Sequence, residues 1–292
     1  MTTALPSPKQ LHVGCKVNVY LEIHGKRDDG YHNLSTLFLP LPTPCDILSI
    51  TPGPLHSGLV MTCSDTSIPQ EQNLISRCYA LFNAATGRAP DLNVHLQKGI
   101  PVGAGLGGGS SDAATFLKFL NESSGVPQMD TADLHALGGQ LGADVPFFLF
   151  NQPAWATGRG DQLTPIHIPL DGMTMVLACP AIHVSTAWAY KAWDQMASAS
   201  PPNTLTPQTV PDIITSLSNF PFHNSFEIPV FTRYPELRLV KELLLASGAN
   251  GVVMSGSGAS LFSLFRDDAH ARQAAAHLRN QGIPAFLTTL GQ

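Results

Sequence analysis

Between Pro101 and Phe116 the chain reads PVGAGLGGGSSDAATF, with glycine at positions 103, 105, 107, 108 and 109. No other stretch of the 292 residues restricts the fold so tightly. Glycine enters left-handed backbone without a Cβ penalty. A string of such residues lets successive N–H groups turn toward one concavity, which suits an anion. DLNVHLQK before the run alternates like a strand, and an apolar, alanine-containing run after it has helical spacing. A helix beginning there adds its unbonded N–H groups and the positive end of its dipole to the same space. Ser110 and Ser111 bring hydroxyls, and either can cap the helix, with Gly125 as its stop. Pro101, Val102, Gly103, Ala104, Gly105, Leu106, Gly107, Gly108, Gly109, Ser110 and Ser111 are therefore the predicted polyphosphate-binding segment.

Three other loops compete for this pattern. A Walker loop needs lysine after its last glycine, and Gly109 is followed by Ser110. The dinucleotide fingerprint G-x-G-x-x-G is met literally by Gly103, Gly105 and Gly108. Against it, Pro101 interrupts strand and loop, and no strand ending in an acid follows about 20 residues later. A flexible linker would not sit between an amphipathic strand and a capped helix.

Charge narrows the ligand class. A formal net charge of −5 argues against a nucleic-acid binder with a basic surface, so an anionic ligand must be met by local donors. With 43% hydrophobic and 13% charged residues the chain has ample core material. Five scattered cysteines without a C-x-x-C pair predict neither a disulfide framework nor a zinc site, and fit a reducing compartment. The first twenty residues hold no apolar run of signal-peptide length, and no stretch approaches a membrane span. A cytoplasmic protein without membrane or nucleic-acid partners is the expectation.

Along the chain, LHVGCKVNVYLEIH, STLFLPL and CDILSI read as strands, the latter two separated by prolines. NLISRCYALFNAATG reads as a helix capped by Asn73 and stopped by Gly87. TADLHALGGQLG is a further helix, and ATGRGD is a turn. The remainder reads MTMVLACP (strand), STAWAYKAWDQMA (helix), SASPPNTLTP (loop), ELRLVKELLLASG (helix), GVVM and ASLFSLF (strands around SGSG), a helix over DDAHARQAAAHLRNQG, and PAFLTTL (strand). That is the split βαβ, ferredoxin-like order. A change of domain is expected near residue 165.

KGIPVGAGLGGGSSDAA resembles the ATP-binding signature of the GHMP small-molecule kinases. CKVNVYLEIHGKRDDGYHNL resembles the opening lysine segment of the branch acting on a cytidine-diphosphate-linked methylerythritol. NLISRCYALF, GADVPFF, ATGRGD, VSTAWAY and MSGSGASLFSLF resemble that branch's later landmarks, in order, over nearly the whole chain. The resemblance implies an α+β, two-domain GHMP kinase fold: an N-terminal ATP-binding α/β domain over 1–165, a C-terminal ferredoxin-like domain over 166–292, and an active site in the cleft between them. It implies ATP and Mg²⁺, and phosphorylation of the 2-hydroxyl of that small molecule in non-mevalonate isoprenoid biosynthesis. Lys16 matches the catalytic lysine, where an ammonium offsets charge developing in phosphoryl transfer. Asp144 matches the general base, against the plain alternative of a helix cap before Pro146.

Asn18, two residues on in a strand, faces the same side as Lys16 and is expected to meet the substrate polyol. By the same resemblance His32 reads the cytosine edge, with Tyr31 or Tyr190 stacking on the base. Thr186 lines that pocket or, equally with Ser185, caps its helix. Lys98, Asn73 and Leu74 match positions near the adenine pocket, and Gly256, Ser257 and Gly258 form a third glycine motif. Ser111 is a candidate Mg²⁺ ligand, with no acid to name beside it. Two departures stand out: Gly14-Cys15 where the branch has Pro-Ala, and Asn224-Ser225-Phe226-Glu227 where it has Asn-Asp-x-Glu. No role is assigned to the latter. Other readings are a GHMP kinase for a smaller alcohol, a nicotinamide-binding oxidoreductase and a non-catalytic nucleotide binder.

Overall fold

The computed structural model describes residues 8–125, 127–196 and 222–291; the predicted loop SASPPNTLTP lies outside them. Its two longest strands, β1 (Lys9–Lys26) and β2 (His32–Pro52), each pass through both compact units of the chain. One unit comprises residues 1–15, 44–102 and 107–151, and the other 16–43, 103–106 and 152–292. STLFLPL and CDILSI, read as two strands, are one. Pro40, Pro42 and Pro44 fall after the residues paired with β5 (Ala154–Thr157) and before those paired with β4 (Leu92–Gln97). No amide is asked of them on that side, and proline's φ suits extended chain.

In the first unit the sheet runs β3 (Leu59–Cys63), β4, β2, with β3 parallel to β4 and β4 antiparallel to β2. Leu92, Val94 and Leu96 turn inward, as their alternation predicts. Four helices accompany it: α1 (Leu74–Thr86), α2 (Gly108–Ser123), α3 (Thr131–Leu141) and α4 (Val145–Phe150). The α1 punctuation is as read: Asn73 Oδ1 accepts from the Ile75 amide at 3.0 Å, and Gly87 ends the helix at φ 70°. α2 packs against the other three helices. Its Ala113, Ala114, Phe116, Leu117 and Leu120 are fully or almost fully buried, and a large apolar side chain removed from water stabilises by about 1.5–3 kcal/mol.

In the second unit β5 forms a hairpin with β6 (Gln162–Pro165), and β8 (His223–Asn224) runs parallel to β1. A separate antiparallel sheet has the order β11 (Ala285–Thr289), β7 (Thr174–Ala178), β10 (Leu261–Phe265), β9 (Gly251–Met254). Its first and third strands are central and its second and fourth lie at the edges, the split βαβ arrangement that the sequence order implied. Among the described residues its helices are α5 (Thr186–Met196), α6 (Glu227–Arg233), α7 (Pro235–Ala246) and α8 (Asp268–Asn280). Val176, Met254, Leu261, Phe265, Leu237 and Leu278 share the unit's core. Among the described residues no helix is long and apolar enough to cross a membrane.

Candidate active site

Gly103, Gly105 and Gly107 adopt φ of 67°, 77° and 72°. The two residues between them, Ala104 and Leu106, are buried. Left-handed glycines alternating with anchored side chains are a backbone pattern that suits an anion nest. α2 begins at Gly108, two residues before the predicted serine cap, with Gly107 as its N-cap. The N-cap is itself a left-handed glycine, which brings no side chain of its own to the first turn, so a ligand can take the N–H groups there. Ser110 and Ser111 sit inside that first turn, and Ser111 is buried.

Gly105 is irreplaceable for a second reason. A Cβ on it would lie 2.1 Å from the Ser255 carbonyl oxygen. Its own carbonyl accepts from Lys16 Nζ at 3.1 Å and Ser255 Oγ at 2.9 Å. Lys16 Nζ also donates to Asn18 Oδ1 at 2.6 Å, so the two residues do share one face of β1. Asn18 Nδ2 donates to Thr36 Oγ1 at 2.8 Å, and the Asn18 amide to Ser255 Oγ at 3.2 Å. Asn18 thus holds the lysine, a task its strand position alone did not disclose.

The third glycine motif is fixed from behind by the NSFE stretch. Asn224 Nδ2 donates to the carbonyls of Met254 (2.6 Å) and Gly256 (2.8 Å), and Glu227 Oε1 accepts from the Met254 amide at 2.9 Å. Ser225 Oγ accepts from the Ile23 amide at 3.1 Å, an acceptor role a hydroxyl fills without a carboxylate. Thr186 Oγ1 meets Ser257 Oγ at 2.8 Å, while Ser185 Oγ accepts from the Trp188 amide in the first turn of α5. The capping task thus falls to Ser185.

In the first unit Lys98 Nζ donates to Asp46 and, at 2.9 Å, to Asp112. Asp46 Oδ1 also accepts from the amides of Gly99 (2.6 Å) and Ile100 (2.8 Å). Burial pushes Asp112 up to about 7, aided by Asp46 and opposed by Lys98. Burial works to lower Lys98, but Asp112 and Asp46 outweigh it and hold the ammonium above its ordinary value. The lysine charge is engaged within the protein, and Asn73 is engaged as a cap. Beside Lys98 lies an open pocket of about 430 Å³ lined by Ser64, Asp65, Thr66, Lys98 and residues 99–102.

The remaining predicted cytidyl contacts gather in the second unit. The His32 ring lies on Tyr190, centroids 4.6 Å apart and 17° from parallel, with Trp193 edge-on at 5.8 Å. His32 Nε2 meets Asp194 Oδ1 at 2.7 Å. Tyr31 is 53% exposed, its ring under the Arg159 guanidinium at 5.0 Å. In the first unit Asp144 stands at the N-cap of α4 with αR backbone, and its side chain makes no capping hydrogen bond there.

These features define a small-molecule kinase, and comparison with known proteins agrees. The GHMP kinases N terminal domain matches residues 73–152 and the GHMP kinases C terminal domain residues 208–284. The 4-diphosphocytidyl-2-C-methyl-D-erythritol kinase of Solidesulfovibrio magneticus is 44% identical over 284 residues, 96% of either chain. That of Nitratidesulfovibrio vulgaris is 44% identical over 278 residues, covering 94% of this chain and 96% of its own. A crystal structure of 4-(cytidine 5'-diphospho)-2C-methyl-D-erythritol kinase superposes with a TM-score of 0.80 at 36% identity, covering 97% of this chain and all of that one. Homoserine kinase from Cytophaga hutchinsonii shares the fold (TM-score 0.68, 16% identity). The chain belongs to the 4-diphosphocytidyl-2-C-methyl-D-erythritol kinase family of the GHMP kinases. The dinucleotide reading of the glycines falls with that, and β4 pairs antiparallel with β2, unlike a dinucleotide-binding βαβ unit.

Proposed function

We propose that this chain transfers the γ-phosphoryl group of ATP to the 2-hydroxyl of 4-diphosphocytidyl-2-C-methyl-D-erythritol. The observation that carries the reading is the alternating left-handed backbone at Gly103, Gly105 and Gly107 leading into a helix whose N-cap is one of these glycines. Residues 101–111 hold the triphosphate through backbone donors. The pocket lined by Lys98 and Pro101 takes the adenine end, and Asn73 is assigned to the same nucleotide. Lys16, oriented by Asn18 and the Gly105 carbonyl, offsets charge on the transferring group. Asp144 takes the proton of the acceptor hydroxyl. Asn18, Tyr31, His32, Thr186 and Tyr190 receive the cytidyl substrate. Along the sequence the ATP-binding part is residues 1–165 and the ferredoxin-like part 166–292.

Among the described residues no group of three His, Cys, Asp or Glu could hold a metal ion. Mg²⁺ fits best on the nucleotide's own oxygens, with the Ser111 hydroxyl in the first turn of α2 as its protein ligand. Incubation of the protein with that substrate, ATP and Mg²⁺ releases ADP in step with substrate consumed. Folded protein that shows no turnover would end the proposal.

A further inference from the structure

Asp194 stands outside every role given so far, yet it contacts the one imidazole in the cytidyl-binding group. Tyr190 and Asp194 are four residues apart on α5 and therefore on one face of the helix. Tyr190 takes the flat of the His32 ring and Asp194 takes its edge at 2.7 Å, while Trp193 closes the side. His32 is 6% exposed, so the ring is fixed in plane and in rotation. A carboxylate can only accept. A ring carrying one proton carries it on Nε2, and Nδ1 is left as an acceptor. Among the described residues Nδ1 makes no hydrogen bond.

We infer that Asp194 is a positioning residue for base selection: by holding the His32 proton on Nε2 it presents Nδ1 as an acceptor matched to the 4-amine of cytosine and mismatched to uracil. The inference rests on the cytidyl reading above. Cytosine has a single donor on its pairing edge, the 4-amine, so an acceptor fixes which atom is met. Uracil carries a carbonyl oxygen there, and two acceptors face each other. To offer its N3–H instead, uracil must slide by one ring position, against a histidine clamped on three sides. Sites that pair a specific donor reject the analogue lacking it because the site's own polar group is left unpaired.

The test measures binding of CDP and of UDP by calorimetry to the full chain, with the ATP site filled by a non-hydrolysable analogue. It uses wild type, Asp194→Ala and Asp194→Asn, with nitrogen NMR of the His32 ring in each. Wild type prefers CDP, and the ring proton is on Nε2. Asp194→Ala loses about tenfold of that preference, mostly through weaker CDP binding. Asp194→Asn, whose Oδ1 still accepts, retains it. Undiminished selectivity in Asp194→Ala, or a wild-type ring protonated on Nδ1 or on both nitrogens, overturns the inference alone. A wild type indifferent between CDP and UDP overturns the cytidyl reading and this inference with it.

Discussion

The Ser255 hydroxyl donates to the Gly105 carbonyl at 2.9 Å and so ties together two glycine motifs 150 positions apart. Because the Ser255 carbonyl would lie 2.1 Å from a Cβ at Gly105, the approach is as close as backbone allows. Gly105→Ala suffers both this collision and the strain of a non-glycine residue at φ 77°. Gly87→Ala supplies the control: φ is 70° and nothing lies within 4 Å of the added Cβ. We expect Gly87→Ala to cost about 1 kcal/mol and Gly105→Ala at least about 3 kcal/mol, with turnover lost only in the latter. Denaturant unfolding of the two variants decides it. Equal costs would mean that the contact, unlike the backbone angle, contributes nothing.

What the sequence discloses is the chemistry that is local. The glycine run, the Asn73 cap and the Gly87 stop each follow from one residue's own backbone preference, and each stands where expected. Prolines 40, 42 and 44 misled, because whether a missing amide breaks a strand depends on where its neighbours pair. Asp46 and Asp112 carry no legible role in sequence because they meet Lys98 from 52 and 14 positions away. The one available signal was an acid inside the apolar strand CDILSI. Asn224 and Glu227 stand out in sequence as a motif, but only their contacts with Met254 and Gly256 show what they hold. Asp194 reads in sequence as an ordinary solvated helix charge.

Lys98 is the cation of a buried group with two carboxylates, and Asp46 is fully buried. Removing one partner of such a group leaves charge without compensation, which costs about 3–5 kcal/mol. Lys98→Met is therefore expected to destabilise by that amount. At a pH above about 7, where Asp112 has given up its proton, adding Asp112→Asn to it removes one of the two facing carboxylates and recovers part of the loss. A double-mutant cycle read by chemical denaturation measures the coupling. Strictly additive effects would show that the ammonium is not held by Asp112.

Asp112 also predicts a pH dependence. Its carboxyl keeps a proton up to about 7, chiefly through burial, whereas an unfolded aspartate gives it up near pH 4. Between these values folding binds a proton, so the contribution is fully present below about pH 4 and lost as pH rises through about 7. Asp112→Asn is neutral throughout and lacks this loss. Its stability relative to wild type climbs from about pH 4 to about pH 7 and then levels. Unfolding midpoints of both proteins across that range test the slope. A difference that stays constant, or that shrinks with rising pH, contradicts it.

Lys16 and Asp144 are proposed to act on the chemical step, and kinetics can separate that from binding. Lys16 is buried against Asn18 and Gly105, so its ammonium is pre-placed and costs no reorganisation when charge develops. Lys16→Met is expected to lower kcat by about 10²–10³-fold. Asp144→Asn keeps the shape and loses the base, for a fall of about 10²–10⁴-fold. Neither change should move the affinity for a non-hydrolysable ATP analogue appreciably, because the phosphates are assigned to backbone donors of residues 101–111. A loss confined to kcat marks interactions made in the transition state; a rise confined to KM marks ones made equally in the ground state. If Lys16→Met raised KM for ATP and left kcat intact, the lysine would be a binding group and its catalytic assignment would be wrong.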